Sequence, residues 1–194
     1  MELILASTSP YRKRLLERLQ MPFRCEAPGV DETATAGESA AGLAGRLARS
    51  KAMAVRKNFP DALVIGSDQV AEADGFIMGK PGGYEAAHRQ LSHSSGKEVC
   101  FHTGLSLCGP GLELTHVEPF RVAFRTLNGA EIDYYLRLEQ PYDCAGSFKC
   151  EGLGIALFSR MIGDDPTSLE GLPLISLVHM LAEAGVRVLA PGQQ

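Results

Sequence analysis

Two stretches of this chain hold the residue types best placed to do chemistry. The run Leu63-Val64-Ile65-Gly66-Ser67-Asp68-Gln69-Val70 leads an apolar strand into a carboxylate, and Gly79-Lys80-Pro81 then sets a cation on a turn. A carboxylate at the end of an apolar strand is held on a rigid element at a sheet edge, where a metal, a water or a phosphate can reach it. A lysine on a constrained turn near such a carboxylate can neutralise phosphate charge, with a plain surface turn as the alternative.

The N-terminal run Ser7-Thr8-Ser9-Pro10-Tyr11-Arg12-Lys13-Arg14 places hydroxyls and cations where a first strand gives way to a first helix. Backbone N–H groups point outward there, and a phosphate sits well among them. The alternative is a Ser N-cap with Pro at the first helical position and a solvated basic turn, although cations at a helix N-terminus oppose its dipole. Asp31-Glu32, with Asp68, supplies the oxygen donors that magnesium prefers, but alone would read as a solvated acidic loop. Lys51, in Leu47-Ala48-Arg49-Ser50-Lys51-Ala52, has a solvated helix face as its plain alternative.

The elements that must position these residues follow from periodicity. Leu3-Ile4-Leu5-Ala6 reads as a strand, and Leu15, Leu16 and Leu19 mark a helix opened by Pro10. A helix is expected from about Ser39 to Lys57, ended by Pro60, then a strand ending at Gly66 and a helix from Tyr84 to Leu91. The span from Val99 to Phe124 reads as a hairpin turned by Gly109-Pro110-Gly111. A helix from Ala130 to Leu138, a Gly-rich stretch, a short strand near Ile155 to Phe158 and a helix from Leu172 to Ala184 complete a mixed α/β pattern, with Gln193-Gln194 expected to fray.

With 194 residues and 45% apolar content, one domain over 1–194 is expected. The formal charge of -4 gives no broad basic surface, so bulk nucleic-acid or anionic-membrane binding is not expected. No signal-peptide pattern or transmembrane run is present. The cysteines Cys25, Cys100, Cys108, Cys144 and Cys150 are odd in number and lack CxxC spacing, so reduced thiols in the cytoplasm are expected. The histidines His88, His93, His102, His116 and His179 form no HxxxH or HxxEH pattern that would support a metal site or a triad.

Taken in order, Leu5-Ala6-Ser7-Thr8-Ser9-Pro10-Tyr11-Arg12, Val30-Asp31-Glu32, Leu47-Ala48-Arg49-Ser50-Lys51-Ala52, Ile65-Gly66-Ser67-Asp68-Gln69, Gly79-Lys80-Pro81, His102-Thr103-Gly104, Cys144-Ala145-Gly146-Ser147-Phe148-Lys149-Cys150-Glu151-Gly152 and Gly171-Leu172-Pro173-Leu174 closely resemble the Maf family of nucleoside triphosphate pyrophosphatases. Within it, Tyr11, Gln69 and Glu151 resemble the YceF-type branch of 7-methyl-GTP pyrophosphatases. The dTTP/UTP branch carries Arg, Thr and Gln at those positions, while the YceF-type branch typically has Trp where this chain has Tyr11. The resemblance implies an elongated, inosine-triphosphatase-like mixed β-sheet flanked by helices, with two lobes around a nucleotide cleft.

The resemblance also implies that Asp68 is the proton acceptor, with Lys51 and Lys80 as further catalytic residues and Ser7 and Arg12 binding phosphate. Glu32 and Asp68 would hold a divalent cation, Mg2+ or Mn2+, and the family's role is the removal of modified nucleotides. The base-reading positions fit 7-methyl-GTP chemically. The methylated ring carries delocalised positive charge that an aromatic face at Tyr11 attracts by about 0.5–2 kcal/mol. Glu151 can accept from N1–H and the exocyclic amine of guanine, and Gln69 adds an amide. The expected partner is a small-molecule nucleotide, with a homodimer as one possible assembly. Alternatives are a dTTP/UTP-type enzyme or a non-catalytic nucleotide-binding regulator of cell division, which would be expected to have lost one or more of these charged residues. A haloacid-dehalogenase-type phosphatase would need a DxD loop, which Asp68-Gln69-Val70 does not supply.

Overall fold

Strand β3 (Leu63–Ala73) is the spine of the structure, a computed structural model that describes residues 1–189; the Gln193-Gln194 tail lies outside the described residues. It belongs to a seven-stranded mixed sheet with β1 (Leu3–Leu5), β2 (Arg24–Cys25), β4 (Phe76–Met78), β5 (Glu98–Gly109), β6 (Leu112–Phe124) and β7 (Phe158–Ile162). The order is β2-β1-β3-β5-β6-β7, with β4 also paired to β3. The β1–β2 and β1–β3 pairs are parallel and the others antiparallel. Helices α1 (Pro10–Glu17), α2 (Ala40–Arg56), α3 (Tyr84–Ser94), α4 (Gly129–Glu139) and α5 (Leu174–Glu183) flank it.

The alternation of side chains along a strand gives the two faces of β3 different tasks. Val64 packs with Ala52 and Val55 of α2, and Val70 packs with Leu43 and Leu47 of the same helix. Leu63 and Ile65 point the other way, into a cluster with Leu177 and Leu181 of α5. Helix α2, started by a Ser39 side chain that accepts from the Gly42 N–H, lies unusually close to the sheet. A Cβ at Gly66 would fall 2.0 Å from the Ala48 carbonyl oxygen, and one at Gly104 would fall 2.1 Å from that of Ala44. The helix backbone therefore rests directly on the strands, and only glycine leaves room for it.

The sequence places most elements correctly and misplaces three features. The strand expected to end at Gly66 continues to Ala73, so Asp68 stands in mid-strand rather than at a strand end. It runs into a hairpin through Asp74-Gly75, both at positive φ, an Asp-Gly turn whose signal was present in the sequence. The stretch expected as a strand near Ile155 is a 3-10 segment, Leu153–Leu157, and the strand follows it. The last helix begins two residues later than expected, at Leu174, with Pro173 at its N-cap. The β5–β6 hairpin closes as expected, with Gly109 opposite Leu112.

Candidate active site

The partners of β3 leave a gap along one edge. Strand β1 pairs with it only from Leu3–Leu63 to Leu5–Ile65, and β4 pairs from Ala71 onward. Residues 66–70 of β3 pair with β5 on one side and have no strand on the other. Past β1, the Ala6 N–H donates to the Ile65 carbonyl at 2.8 Å, and the chain then turns away through residues 7–9 into α1. Asp68 thus has an open strand edge beside it although it is not at a strand end. A cleft of about 490 Å³ opens there, lined by Ser7, Tyr11, Arg12, Glu32, Lys51, Asp68, Gln69, Lys80 and Glu151 among others. Asp31, the other acidic residue considered in the sequence, does not line the cleft and instead accepts from the Thr33 N–H and hydroxyl at an exposed position.

At its floor, the Lys51 Nζ lies 2.6 Å from Asp68 Oδ1 and 2.6 Å from Glu32 Oε1. Lys51 is 4% exposed and Asp68 8%, so the lysine is buried beneath α2 rather than on its solvated face. The close seating of α2 on Gly66 and Gly104 makes that reach possible. Burial alone would raise the Glu32 carboxyl, but the Lys51 hydrogen bond and the charges of Lys51, Lys80 and Arg12 outweigh it and hold the group below its ordinary value. Burial lowers the Arg12 guanidinium, opposed by the negative charges of Asp68 and Glu32. Arg12 donates from Nε to the Gly171 carbonyl at 2.8 Å, which fixes the guanidinium while its terminal nitrogens make no hydrogen bond among the described residues.

Two carboxylates sharing one ammonium form a small set of oxygen donors. Among the described residues no group of three or more His, Cys, Asp and Glu side chains is gathered for a metal. Glu32 and Asp68 are two carboxylates on one cleft, the kind of oxygen ligand that magnesium takes alongside water and phosphate oxygens. The carboxylate chemistry fits magnesium or manganese and is poor for a soft metal.

The other end of the cleft is built from Tyr11, Glu151 and neighbours that the sequence reading passed over. Burial and the negative charges around Cys144, Asp143 and Glu151 push the Tyr11 hydroxyl up to about 12. The guanidinium of Arg14, which does not line the cleft, sits over the Tyr11 ring at 5.2 Å from its centroid. Burial also pushes the Cys144 and Cys150 thiols, to about 12 and about 11, so neither serves as a ready nucleophile. Gln69 lines the cleft, but its Nε2 points at the Ser168 and Leu169 carbonyls, 2.8 and 3.2 Å away.

Against known proteins, the model for the Maf-like protein family matches residues 2–184. The chain belongs to the Maf-like family. Relatives called 7-methyl-GTP pyrophosphatase are 53% identical in Colwellia psychrerythraea, over 97% of this chain and 95% of that protein, and 53% identical in Xanthomonas axonopodis pv. citri, over 96% and 98%. A third, from a Polaromonas species, is 52% identical over 97% of this chain and 87% of its own length. The Ham1 protein of Staphylococcus aureus has the same fold, with a TM-score of 0.50 at 15% identity over 95% of this chain and all of that one. A HAM1 protein of Coxiella burnetii scores 0.52 at 15% identity over 94% and 99%.

Among the described residues of this Maf-like chain, no helix is long and apolar enough to cross a membrane. Among the cleft residues that sequence reasoning missed are the carboxylates Asp143 and Glu170. Glu170 ends the 3-10 turn Pro166–Glu170, whose start was marked by Asp165 followed by Pro166, an N-cap and first-turn pair. Nothing in the local sequence indicates that this turn folds against the side chains that Gln69 of β3 and Thr103 of β5 project from one face of the sheet.

Proposed function

We propose that this Maf-like chain is a nucleoside triphosphate pyrophosphatase that hydrolyses 7-methyl-GTP to 7-methyl-GMP and diphosphate. The observation that carries the reaction is the Asp68–Lys51–Glu32 arrangement, with Lys51 and Asp68 buried and Glu32 facing the opening, in a cleft whose other end holds Tyr11 and Glu151. The names of relatives about half identical over nearly the whole chain support the substrate.

In this reading Asp68 accepts the proton of a water that attacks the α-phosphorus. The new P–O bond forms as the α–β anhydride bond breaks, and diphosphate leaves. Lys51 holds Asp68 and Glu32 in place, while the free terminal nitrogens of Arg12, with Ser7 and the exposed Lys80, take phosphate oxygens. Glu32 and Asp68 would hold a divalent cation, magnesium or manganese, which withdraws charge from the phosphates when bound. At the base end, Tyr11 offers its ring to the positively charged methylated purine, and Glu151, with no ion pair or side-chain hydrogen bond among the described residues, is available to its N1–H and amine. Free thiols at all five cysteines suit a reducing compartment, and we place the protein in the cytoplasm.

The test is hydrolysis by the purified protein with magnesium, comparing 7-methyl-GTP, GTP, dTTP and UTP and measuring diphosphate and orthophosphate separately. Diphosphate release favouring 7-methyl-GTP, abolished by Asp68→Asn, is the expected result. Preference for dTTP or UTP would overturn the base assignment, and orthophosphate as the product would overturn the reaction.

A further inference from the structure

The second wall of the base end is the 3-10 turn Pro166–Glu170, and it is fixed to the sheet with unusual thoroughness. Gln69 Nε2 donates to the Ser168 carbonyl at 2.8 Å and also lies 3.2 Å from that of Leu169. Thr103 Oγ1, beside it on β5, donates to the same Ser168 carbonyl at 2.9 Å. Arg12 Nε donates to the carbonyl of Gly171 at 2.8 Å, Ser67 Oγ lies 2.9 Å from the same oxygen and 2.8 Å from that of Gly104, and Gly171 adopts a φ of 105° that favours glycine. Behind the turn, the buried Asp165 accepts from the Thr167 N–H and hydroxyl with one oxygen and from the Ile175 N–H with the other.

This network delivers one side chain to the cleft with charge to spare. Glu170 lines the cleft beside Glu151 and is half-buried. Neither carboxylate forms an ion pair or accepts a hydrogen bond among the described residues, in contrast to Glu32 and Asp68, which Lys51 holds. Burial first, and then the charge of Glu151, raise the Glu170 carboxyl, while Arg18 at the end of α1 and Arg14 within it oppose that rise from a distance. Two carboxylates that raise one another's energy are stabilised by a cation placed between them.

We propose that Glu170 is a second base-recognising carboxylate, selecting the cationic purine together with Glu151, and that Gln69 is its positioning residue, acting on the base through the turn. The proposal rests on the 7-methyl-GTP reading above. The Gln69 Nε2 is engaged by the Ser168 and Leu169 carbonyls of the turn and by Thr103 Oγ1, 3.2 Å away on β5, so Glu170 is the charged group that this wall offers to the methylated ring. GTP and 7-methyl-GTP differ by one methyl and the charge it brings, so the two substrates isolate this effect.

The experiment measures kcat/KM for 7-methyl-GTP and for GTP in the wild type, Glu170→Gln, Glu170→Asp, Gln69→Ala and the Gln69→Ala/Glu170→Gln double variant, with thermal unfolding as a check on folding. Glu170→Gln should lower the preference for 7-methyl-GTP over GTP about tenfold, the effect of removing one nearby charge. Glu170→Asp should restore most of that preference. Gln69→Ala should lower the ratio too, and the double variant should be little worse than Glu170→Gln alone, because one residue acts through the other. An unchanged ratio in Glu170→Gln, in an enzyme that does prefer 7-methyl-GTP, overturns this proposal and leaves the proposed function standing. Additive losses overturn the positioning role of Gln69. A wild type with no preference for 7-methyl-GTP overturns both this proposal and the function it rests on.

Discussion

Lys51 shows how far a single residue's role depends on what is packed above it. A lysine in an amphipathic helix usually keeps its ammonium in water, but here the ammonium is buried between Glu32 and Asp68. The sequence offered both possibilities, because the close approach of α2 that decides between them is a tertiary fact. Glu32 records the same contact in its titration. Its folded value lies below the ordinary 4.5, so the stability it contributes is complete above that value and is lost as the pH falls through the lowered one. The stability gap between wild type and Glu32→Gln should therefore be constant around neutral pH and shrink only below about 4.5, as urea unfolding across a pH series would show. A gap that shrinks while the pH is still near neutral would mean that Lys51 does not hold Glu32 ionised in solution.

At the scale of elements, helix α2 and strand β3 build the floor of the site through contacts that a side chain would prevent. Gly66→Ala would drive a Cβ to 2.0 Å from the Ala48 carbonyl oxygen, and backbone cannot swing aside as the end of a flexible side chain can. The helix must lift, which should cost about 3 kcal/mol, the upper end for overpacking, measured as a fall in the urea midpoint. Activity should fall as well, because lifting α2 withdraws Lys51 from Asp68. A variant as stable as the wild type would refute the contact. Most elements were legible from local signals, such as the Pro10 start of α1, the Ser39 cap of α2 and the Gly109-Pro110-Gly111 turn. Local signals fail where tertiary pairing decides. The long continuation of β3 past Asp68 is set by β5 and β4, and the turn that carries Glu170 is held by residues about a hundred positions away.

For the whole molecule, the question is whether the two walls of the cleft are independent bodies. Strand β3 argues that they are not, since it supplies a residue to each of the four apolar clusters among the described residues: Ala71 and Ala73, Leu63 and Ile65, Val64, and Val70. Strand β5 enters three of them through Phe101, Leu105 and Cys108. The cluster that carries α5 and the cluster that carries α4 thus share two strands, so neither can lose its packing without exposing the other. Thermal unfolding followed by far-UV circular dichroism and by tyrosine fluorescence should give coincident single transitions, with calorimetric and van't Hoff enthalpies equal. Two separated transitions would mean that the cleft is a joint between domains, and the geometry at Asp68 would then depend on their docking. A single transition would make the cleft a fixed notch in one sheet, with the distances around Lys51 set before any nucleotide arrives, which is the preorganisation that charge stabilisation in the transition state requires.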